Sequence, residues 1–419
     1  MKEPTQNERG FKILYWIWVL MLFLPERLIS FYIPPLQFLR SLPTILLALA
    51  LVVWFTSNTE KYKYKWFALF LVSLLISSLL AENTGRARVV LRLVLEYYIL
   101  ALITFSFISN KYRTDKLMFL FMLQFLYLGI WGIIGGGLVK WDYILNEEDA
   151  YGPLMGIGVA YCYYYFSVQK KSMAKTLALI ALCTCIVGVV ISFARGAFLV
   201  LVATLIYLLV KSGNFVKGIL FIGIACVIII VATSIIFPDN AFWKEMQTSA
   251  EGTSSGTGRD RKVLWSIAWE EYKDNIIIGV GPLNFGVAAA HYLNRVKDTG
   301  NYRPDTIWGR ALHNAYFQIL CELGTFGIII FIMILYDFFK TNKATIRYTP
   351  TSCDSELDNL TLKQTKHLVT GIKVAMIAFL LNAFFYDIIY YSWFWILLIL
   401  NRMLYINIFQ EKLFFNPSP

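Results

Sequence analysis

Charged side chains are scarce in this chain of 419 residues: they make up only 16% of it, whereas hydrophobic residues make up 58%. Soluble globular domains carry about 25% charged and about 45–50% apolar residues. A soluble protein this apolar would lack the polar groups needed to cover its surface, so lipid must act as part of its solvent. The composition therefore excludes a soluble enzyme, a disordered chain and a disulfide-stapled domain, and it predicts a polytopic membrane protein.

Residues that commonly bind metals are also few, with six cysteines and three histidines. The cysteines show no metal-ligand spacing, and we interpret them as free thiols or packing residues. A net charge of +11 would suggest a nucleic-acid partner in a soluble protein. In a membrane protein, basic residues instead mark the cytoplasmic loops. We therefore expect no metal site, no cofactor and no nucleic-acid partner, but contact with membrane lipids.

Long apolar runs account for most of the sequence. A bilayer core of about 30 Å needs roughly 20 apolar residues per helix. Runs that reach or approach this length lie at 12–25, 36–56, 64–81, 90–108, 116–135, 152–168, 175–194, 196–210, 216–237, 314–339, 369–386 and 389–409. They predict an all-α protein with about 12 transmembrane helices, divided into spans 1–9 (residues 1–237), one large periplasmic loop (238–312) and spans 10–12 (313–419).

The orientation follows from the lysines and arginines, most of which fall in one set of alternating loops. This asymmetry places both termini in the cytoplasm, and the polar segment Met1–Phe11 is interpreted as preceding a retained first span. The loop 238–312 then lies outside, because long loops cross regardless of charge. Within it, residues 263–273 have helical apolar spacing and predict a short helix on the membrane surface. The polar segment 340–368 is interpreted as a plain connector.

Two residues at the outer boundary of the apolar runs suggest chemistry. Arg195 lies between two runs in the sequence SFARGAFL, where it either binds an anion or extends toward lipid phosphates. His313 lies where the large loop meets the tenth span, and an imidazole there can accept a proton from a hydroxyl near neutral pH. A packing or capping role is the alternative for this histidine. Glu322, further along the same run, is interpreted as structural.

Further charged residues lie on the same predicted side. Arg259 and Arg261 follow glycines in the large loop and can clamp a phosphate, with a solvated loop as the alternative. Arg86 and Arg88 add positive charge at the start of the fourth span. Asp387, in the turn before the last span, either orients His313 or an arginine, or caps a helix.

The remaining acidic residues are given structural interpretations. The run Asp142, Glu147, Glu148 and Asp149 lacks a histidine or a tight D-x-D spacing, so a solvated face is favoured over a metal site. Arg92 and Glu96 are spaced i, i+4 in the fourth span and are predicted to pair with each other.

Two motifs resemble those of the O-antigen ligase and polymerase superfamily of bacterial inner-membrane glycosyltransferases. The first is R-x3-L, from Arg195 to Leu199, and the second is H-[NSQ]-x9-G-x-x-G, from His313-Asn314 to Gly324 and Gly327. Tyr316 and Glu322 are also typical of the family. The large loop is similar as well, with a Gly-Arg…Trp segment ending at Trp265 and a G-x-G-x3-F pattern at Gly279, Gly281 and Phe285.

The resemblance implies transfer of a glycan from a polyprenyl diphosphate carrier to a glycolipid or glycan acceptor at the periplasmic face. It implies that Arg195 and Arg261 hold the diphosphate, with Arg259, Arg86 and Arg88 as further substrate-binding candidates. Spacing to the tryptophan selects Arg261, whereas the preceding Gly258 selects Arg259, and both are kept. His313 would deprotonate the acceptor hydroxyl, with inversion at the anomeric carbon. Asn314, Tyr316 and Asp387 complete the predicted substrate-binding set.

Ligase and polymerase members share these motifs and differ in the acceptor, which is lipid A–core for a ligase and a second lipid-linked unit for a polymerase. We favour the ligase because both motifs match its pattern without a gap. A lipid-linked glycan flippase is the alternative from another class. Transporters of this size more often show internal repeats and charged groups at the midplane, whereas here there is no repeat and the polar residues gather at the outer boundary.

Overall fold

The computed structural model describes residues 6–23, 42–142, 144–170, 172–211, 256–297, 302–350 and 356–410, together with residues 223, 224, 227 and 299. The helices of these segments are α1 (Gln6–Phe23), α2 (Leu42–Thr56), α3 (Lys65–Leu79), α4 (Thr84–Phe107), α5 (Lys111–Ile134), α6 (Glu148–Val168), α7 (Ser172–Ile191), α8 (Arg195–Lys211), α9 (Gly256–Asp274), α10 (Phe285–Tyr292), α11 (Pro304–Ile307), α12 (Ala315–Arg347), α13 (Glu356–Asn382) and α14 (Ser392–Phe409). A 3-10 turn, Leu293–Arg295, follows α10.

An all-α polytopic membrane protein is thereby confirmed. Among the described residues, five helices are long and apolar enough to cross a membrane: α4, α5, Met173–Ile191 of α7, α12 and α14. The count of about 12 spans, the periplasmic side of the large loop and the division at 237 and 312 stay predictions. The ninth predicted run, 216–237, lies outside the described residues apart from positions 223, 224 and 227.

Two helices continue beyond the apolar runs that predicted them. α12 extends to Arg347, and α13 begins at Glu356, so both enter the segment 340–368 that was interpreted as a connector. Polar residues fit there because they bond to neighbouring helices. The buried Asn342 amide, for example, donates to the Val369 carbonyl (2.9 Å) and to the Asn401 side chain (3.0 Å). A helix that has left the lipid does not need an apolar surface all round.

The bundle core is built around α6 and α14. α6 packs against α5, α7, α8 and α13, and α14 packs against α4, α12 and α13. Close approach on α6 depends on a missing side chain, because a Cβ atom on Gly152 would lie 2.6 Å from the Ser192 hydroxyl and 2.7 Å from the Ala194 Cβ. This contact brings the first turn of α6 against the segment just before α8.

A second, smaller core joins the segment 256–312 to α12. Its buried residues are Val263, Leu264, Ile267, Ala268, Phe285, Ala289, Leu293, Ile307, Leu312 and Cys321. The predicted helix at 263–273 is present as part of α9, but its apolar face packs on protein rather than facing outward. Trp265 of α9 is stacked on Phe317 of α12, with the ring centroids 5.7 Å apart.

A break in α12 holds the segment 276–281 in place. At Gly324 the backbone leaves the helical region (φ 65°, ψ −166°). The Thr325 amide donates to the Ile276 carbonyl (2.7 Å), and the Gly281 amide donates to the Glu322 carbonyl (2.9 Å). Backbone groups released by the break are thus satisfied by another segment. A Cβ on Gly324 would lie 2.4 Å from the Ile277 carbonyl carbon, which accounts for a glycine at this place in the second motif.

We expect Gly279→Ala to destabilise the protein strongly. Gly279 has a positive φ (68°), and a Cβ there would lie 2.3 Å from the Glu322 carbonyl carbon, so backbone would have to move. The expected loss is more than about 3 kcal/mol, compared with about 1 kcal/mol for a positive φ alone. Gly136→Ala is the matched control, because Gly136 also has a positive φ (74°) but no atom within 4 Å of its Cβ position. Melting temperatures in detergent measure both; equal decreases would contradict the packing role of the segment 276–281.

Candidate active site

His313 is held in an uncommon backbone conformation directly before α12. Its φ is +54°, in the left-handed region that costs a non-glycine residue energy. The Asp387 carboxylate holds the segment by accepting hydrogen bonds from the amides of Leu312 (2.6 Å) and Asn314 (2.8 Å). Asp387 therefore orients the backbone on both sides of His313. Burial raises the pKa of the Asp387 carboxyl, although the positive charge of His313 and the backbone amides oppose this shift.

The imidazole of His313 is oriented by a residue from another helix. Its Nδ1 lies 3.0 Å from Oδ2 of Asp149, in the first turn of α6, and both side chains are about one-third exposed. Burial lowers the pKa of His313, but the hydrogen bond to Asp149 and the negative charges of Asp387 and Asp149 outweigh burial and the nearby Arg261. The pKa of His313 is therefore raised above its ordinary 6.5.

Arg195 is the first residue of α8 and follows a strained turn. Phe193 has a φ of +57°, and the Ser192 hydroxyl donates to the Val189 carbonyl (2.8 Å) while accepting from the Ala194 amide (3.3 Å). The start of α8 lies against Tyr386, because the Tyr386 hydroxyl is 2.9 Å from the position that a Cβ atom on Gly196 would occupy.

The turn 383–391, between α13 and α14, therefore joins both sequence motifs. Tyr386 contacts the start of α8, and the next residue, Asp387, accepts hydrogen bonds from the His313 segment. Tyr390 donates to the buried Glu322 carboxylate (2.9 Å), which also accepts from the Phe285 amide (3.4 Å). These contacts agree with the structural interpretation of Glu322.

α9 brings a second arginine toward His313. Trp265 donates from Nε1 to the Leu312 carbonyl (3.2 Å), so this face of α9 lies against the His313 segment. Arg261 is one turn before Trp265 on the same face. The positive charge of Arg261 opposes the upward shift of the His313 pKa, so the guanidinium lies within electrostatic range of the imidazole. Arg259 is exposed and two residues earlier, hence on a different face of the helix.

The other predicted site residues occupy distinct positions. Asn314 is the N-cap of α12, with its side-chain oxygen accepting from the amides of Tyr316 (3.0 Å) and Phe317 (3.1 Å). The Tyr316 hydroxyl donates to the Leu380 carbonyl (2.7 Å). Arg86 stacks on Trp308, with its Cζ 4.6 Å from the ring centroid, and Arg88 is exposed. Roles for these residues in substrate binding stay predictions.

Sequence reasoning gave one acidic residue the wrong interpretation and missed another contact. Asp149 is not part of a solvated face, because it pairs with His313. Its signal was its place beside an apolar run on the same predicted side as His313. Tyr386 was not singled out, and its position directly before Asp387 was the only pointer to it. The predicted Arg92–Glu96 pair is confirmed, at 2.9 Å.

A model of the O-antigen ligase family matches residues 178–332. The matched range contains Arg195, Arg261, His313 and the glycines at the break in α12. The match covers 155 of the 419 residues, and it supports the resemblance to the O-antigen ligase and polymerase superfamily that the two motifs indicate. The first motif of that family lies at the start of α8, and the second extends across the His313 segment into α12. A comparison with curated proteins finds no match.

Proposed function

We propose that this protein is a metal-independent, inverting glycosyltransferase of the bacterial inner membrane, and specifically an O-antigen ligase. It transfers a glycan from a polyprenyl diphosphate to a hydroxyl of lipid A–core at the periplasmic face. The observation that carries the proposal is the His313–Asp149 pair at 3.0 Å, on a backbone fixed by Asp387 and close to Arg261. A histidine oriented by a carboxylate is the usual arrangement of a general base.

His313 acts as the base. Because its Nδ1 donates to Asp149, Nε2 is the nitrogen that accepts the proton of the acceptor hydroxyl. The hydroxyl oxygen forms a bond to the anomeric carbon as the bond from that carbon to the diphosphate oxygen breaks. Attack opposite the leaving group inverts the anomeric carbon. The negative charges of Asp149 and Asp387 stabilise the imidazolium that results.

Arg195 and Arg261 bind the leaving group. The electron pair of the broken bond passes to the diphosphate, whose charge increases as the bond breaks. Guanidinium groups pair with phosphate oxygens bidentately and do not lose their proton near neutral pH. The start of α8 carries Arg195, and the backbone amides of a helix start add positive potential for an anion. We expect activity to persist in excess chelator.

Asp149→Asn is expected to change the pH dependence of transfer. The base form of His313 is the active form, so the rate should rise with pH through a pKa above 6.5. Asp149 raises that pKa by stabilising the imidazolium, so its replacement should move the rising limb to lower pH. The plateau rate should fall at least about tenfold, because the imidazole loses its orientation. Rates from pH 5 to 9 measure both effects.

The adjacent exposed acid provides the control for this measurement. Glu148→Gln removes one negative charge from the same turn of α6. It should shift the rising limb of the pH–rate profile by less than about 0.3 pH units from that of the original protein. An Asp149→Asn profile identical to that of the original protein would contradict the assigned role.

Ligase and polymerase are separated by the acceptor. The purified protein is given a lipid-linked oligosaccharide from its native pathway, with lipid A–core present in one reaction and omitted from the other. Product formed only with lipid A–core is the expected result. A ladder of longer lipid-linked glycans without lipid A–core would identify a polymerase instead.

A further inference from the structure

A strip of arginines lies on the exposed surface of α4, which is apolar enough to cross a membrane. Arg88 and Arg92 are spaced i, i+4, so they lie on one face of the helix. Both are exposed, as are Val89 and Leu95 beside them. From the helix start at Thr84, the two arginines are about 6 Å and about 12 Å along the axis. A charged side chain on a membrane-spanning helix is costly unless it pairs with an anion or with other polar groups.

The side chain of Arg92 is oriented by two specific hydrogen bonds. Its side chain is 47% exposed, whereas that of Glu96 is only 6% exposed. Arg92 Nε donates to Glu96 (2.9 Å), and Arg92 Nη2 donates to the Thr44 hydroxyl of α2 (2.8 Å). Thr44 in turn donates to Glu96. A buried carboxylate thus fixes the guanidinium at an exposed surface, which reduces the entropy lost when an anion binds.

The same helix is joined to the segment that carries His313. Arg86, in the first turn of α4, stacks on Trp308. The next residue, Gly309, donates from its amide to the Gly286 carbonyl (2.9 Å). Asn83, before α4, donates from its amide to the Asn284 side chain (2.7 Å). The start of α4 is therefore fixed against the loop that leads into His313.

α4 and the helix of Arg195 belong to different parts of the bundle. α4 packs against α1, α2, α3 and α14, whereas α8 packs against α6, α7 and α13. Arg88 and Arg195 therefore lie on helices that pack against different sets of neighbours. A transfer between two lipids has two phosphate-bearing substrates, and they cannot share one site when both must reach His313.

We propose that Arg88 and Arg92 form a second phosphate site, which binds the phosphate of the acceptor glycolipid while Arg195 and Arg261 bind the donor diphosphate. The inference rests on the proposed function, because it assigns the acceptor side of the same reaction. An ordinary phospholipid headgroup has the same chemistry, so the experiment separates the two sources.

The test uses the full-length protein in nanodiscs of neutral phosphatidylcholine, with saturating donor and increasing lipid A–core. We expect the double variant Arg88→Gln/Arg92→Gln to raise the KM for lipid A–core at least tenfold and to leave the KM for the donor unchanged. We expect a smaller increase in the KM for lipid A–core from Arg88→Gln alone. The same holds for Arg92→Gln/Glu96→Gln, a double variant that leaves no unpaired buried carboxylate. Lys343→Gln, an exposed cation at the other end of α12, is the control.

Two further arms identify the ligand. Lipid A–core stripped of its phosphates should have a raised KM that the arginine variants do not increase further. Native mass spectrometry, which needs no activity, should show the double variant binding at least tenfold less intact lipid A–core. Unchanged lipid A–core binding would overturn the proposal, as would a change confined to added phosphatidylglycerol or to the donor KM. An inactive original protein that still binds lipid A–core through these arginines would reject the proposed function alone.

Discussion

Replacing His313 by alanine is expected to lower the transfer rate by about 10²- to 10⁴-fold, the range that a general base contributes. Neither of the other histidines lies in the segment that Asp387 holds: His291 is in the last turn of α10, and His367 lies on α13 in the segment that extends beyond the apolar run. The initial rate of polyprenyl diphosphate release measures the effect directly. An alanine variant with the original rate would remove the basis of the mechanism.

Two controls separate loss of chemistry from loss of structure. His313→Asn suits the positive φ of this position better than alanine, since asparagine tolerates the left-handed region, yet it provides no base at neutral pH. It should fold normally and be as inactive as the alanine variant. His291→Ala changes a histidine that is 67% exposed in the same part of the chain and should retain full activity.

Replacing Arg261 by glutamine is expected to lower the transfer rate by about 10²- to 10³-fold, as does the loss of one donor that stabilises transition-state charge. Arg195→Gln should have an effect of the same size, because both guanidiniums bind the charge that develops on the leaving diphosphate. The losses should appear in kcat more than in the KM of the donor, since that charge develops during bond breaking.

Arg259→Gln is the matched control, and it also decides the register that the sequence left open. Arg259 and Arg261 lie two residues apart on α9, so a helix points them to different sides. Only Arg261 is on the face that Trp265 fixes against Leu312. We expect Arg259→Gln to change the rate less than about threefold. Equal losses at the two positions would contradict the assignment of Arg261.

Much of the fold could be predicted because hydropathy along the sequence is enough to identify a helix that crosses a bilayer. A helix that crosses a bilayer must be apolar along its length, so the run at 64–81 identifies α3 (Lys65–Leu79) without knowledge of its neighbours. The extension of α12 to Arg347 was missed, because the apolar run stops where the lipid stops, whereas the helix continues beyond it.

The site was only partly predictable because its parts come from distant helices. Nothing in the spacing of Asp149 and His313 shows that they meet, because they are 164 residues apart and their contact joins the start of α6 to the segment before α12. The sequence alone likewise does not explain why glycines occur in the second motif. The role of Gly324 depends on the segment 276–281 crossing α12, and hydropathy cannot reveal such a crossing.

In the proposed mechanism, this protein makes and breaks covalent bonds at His313. The most direct test uses the purified protein in detergent micelles, with a lipid-linked oligosaccharide, lipid A–core and excess chelator. Micelles have no two compartments, so a transporter leaves both lipids chemically unchanged. The expected result is glycosylated lipid A–core and free polyprenyl diphosphate in equal amounts, with activity retained in His291→Ala and lost in His313→Asn. Unchanged lipids with a donor that is competent in the native membrane, or equal product from His313→Asn, would contradict it.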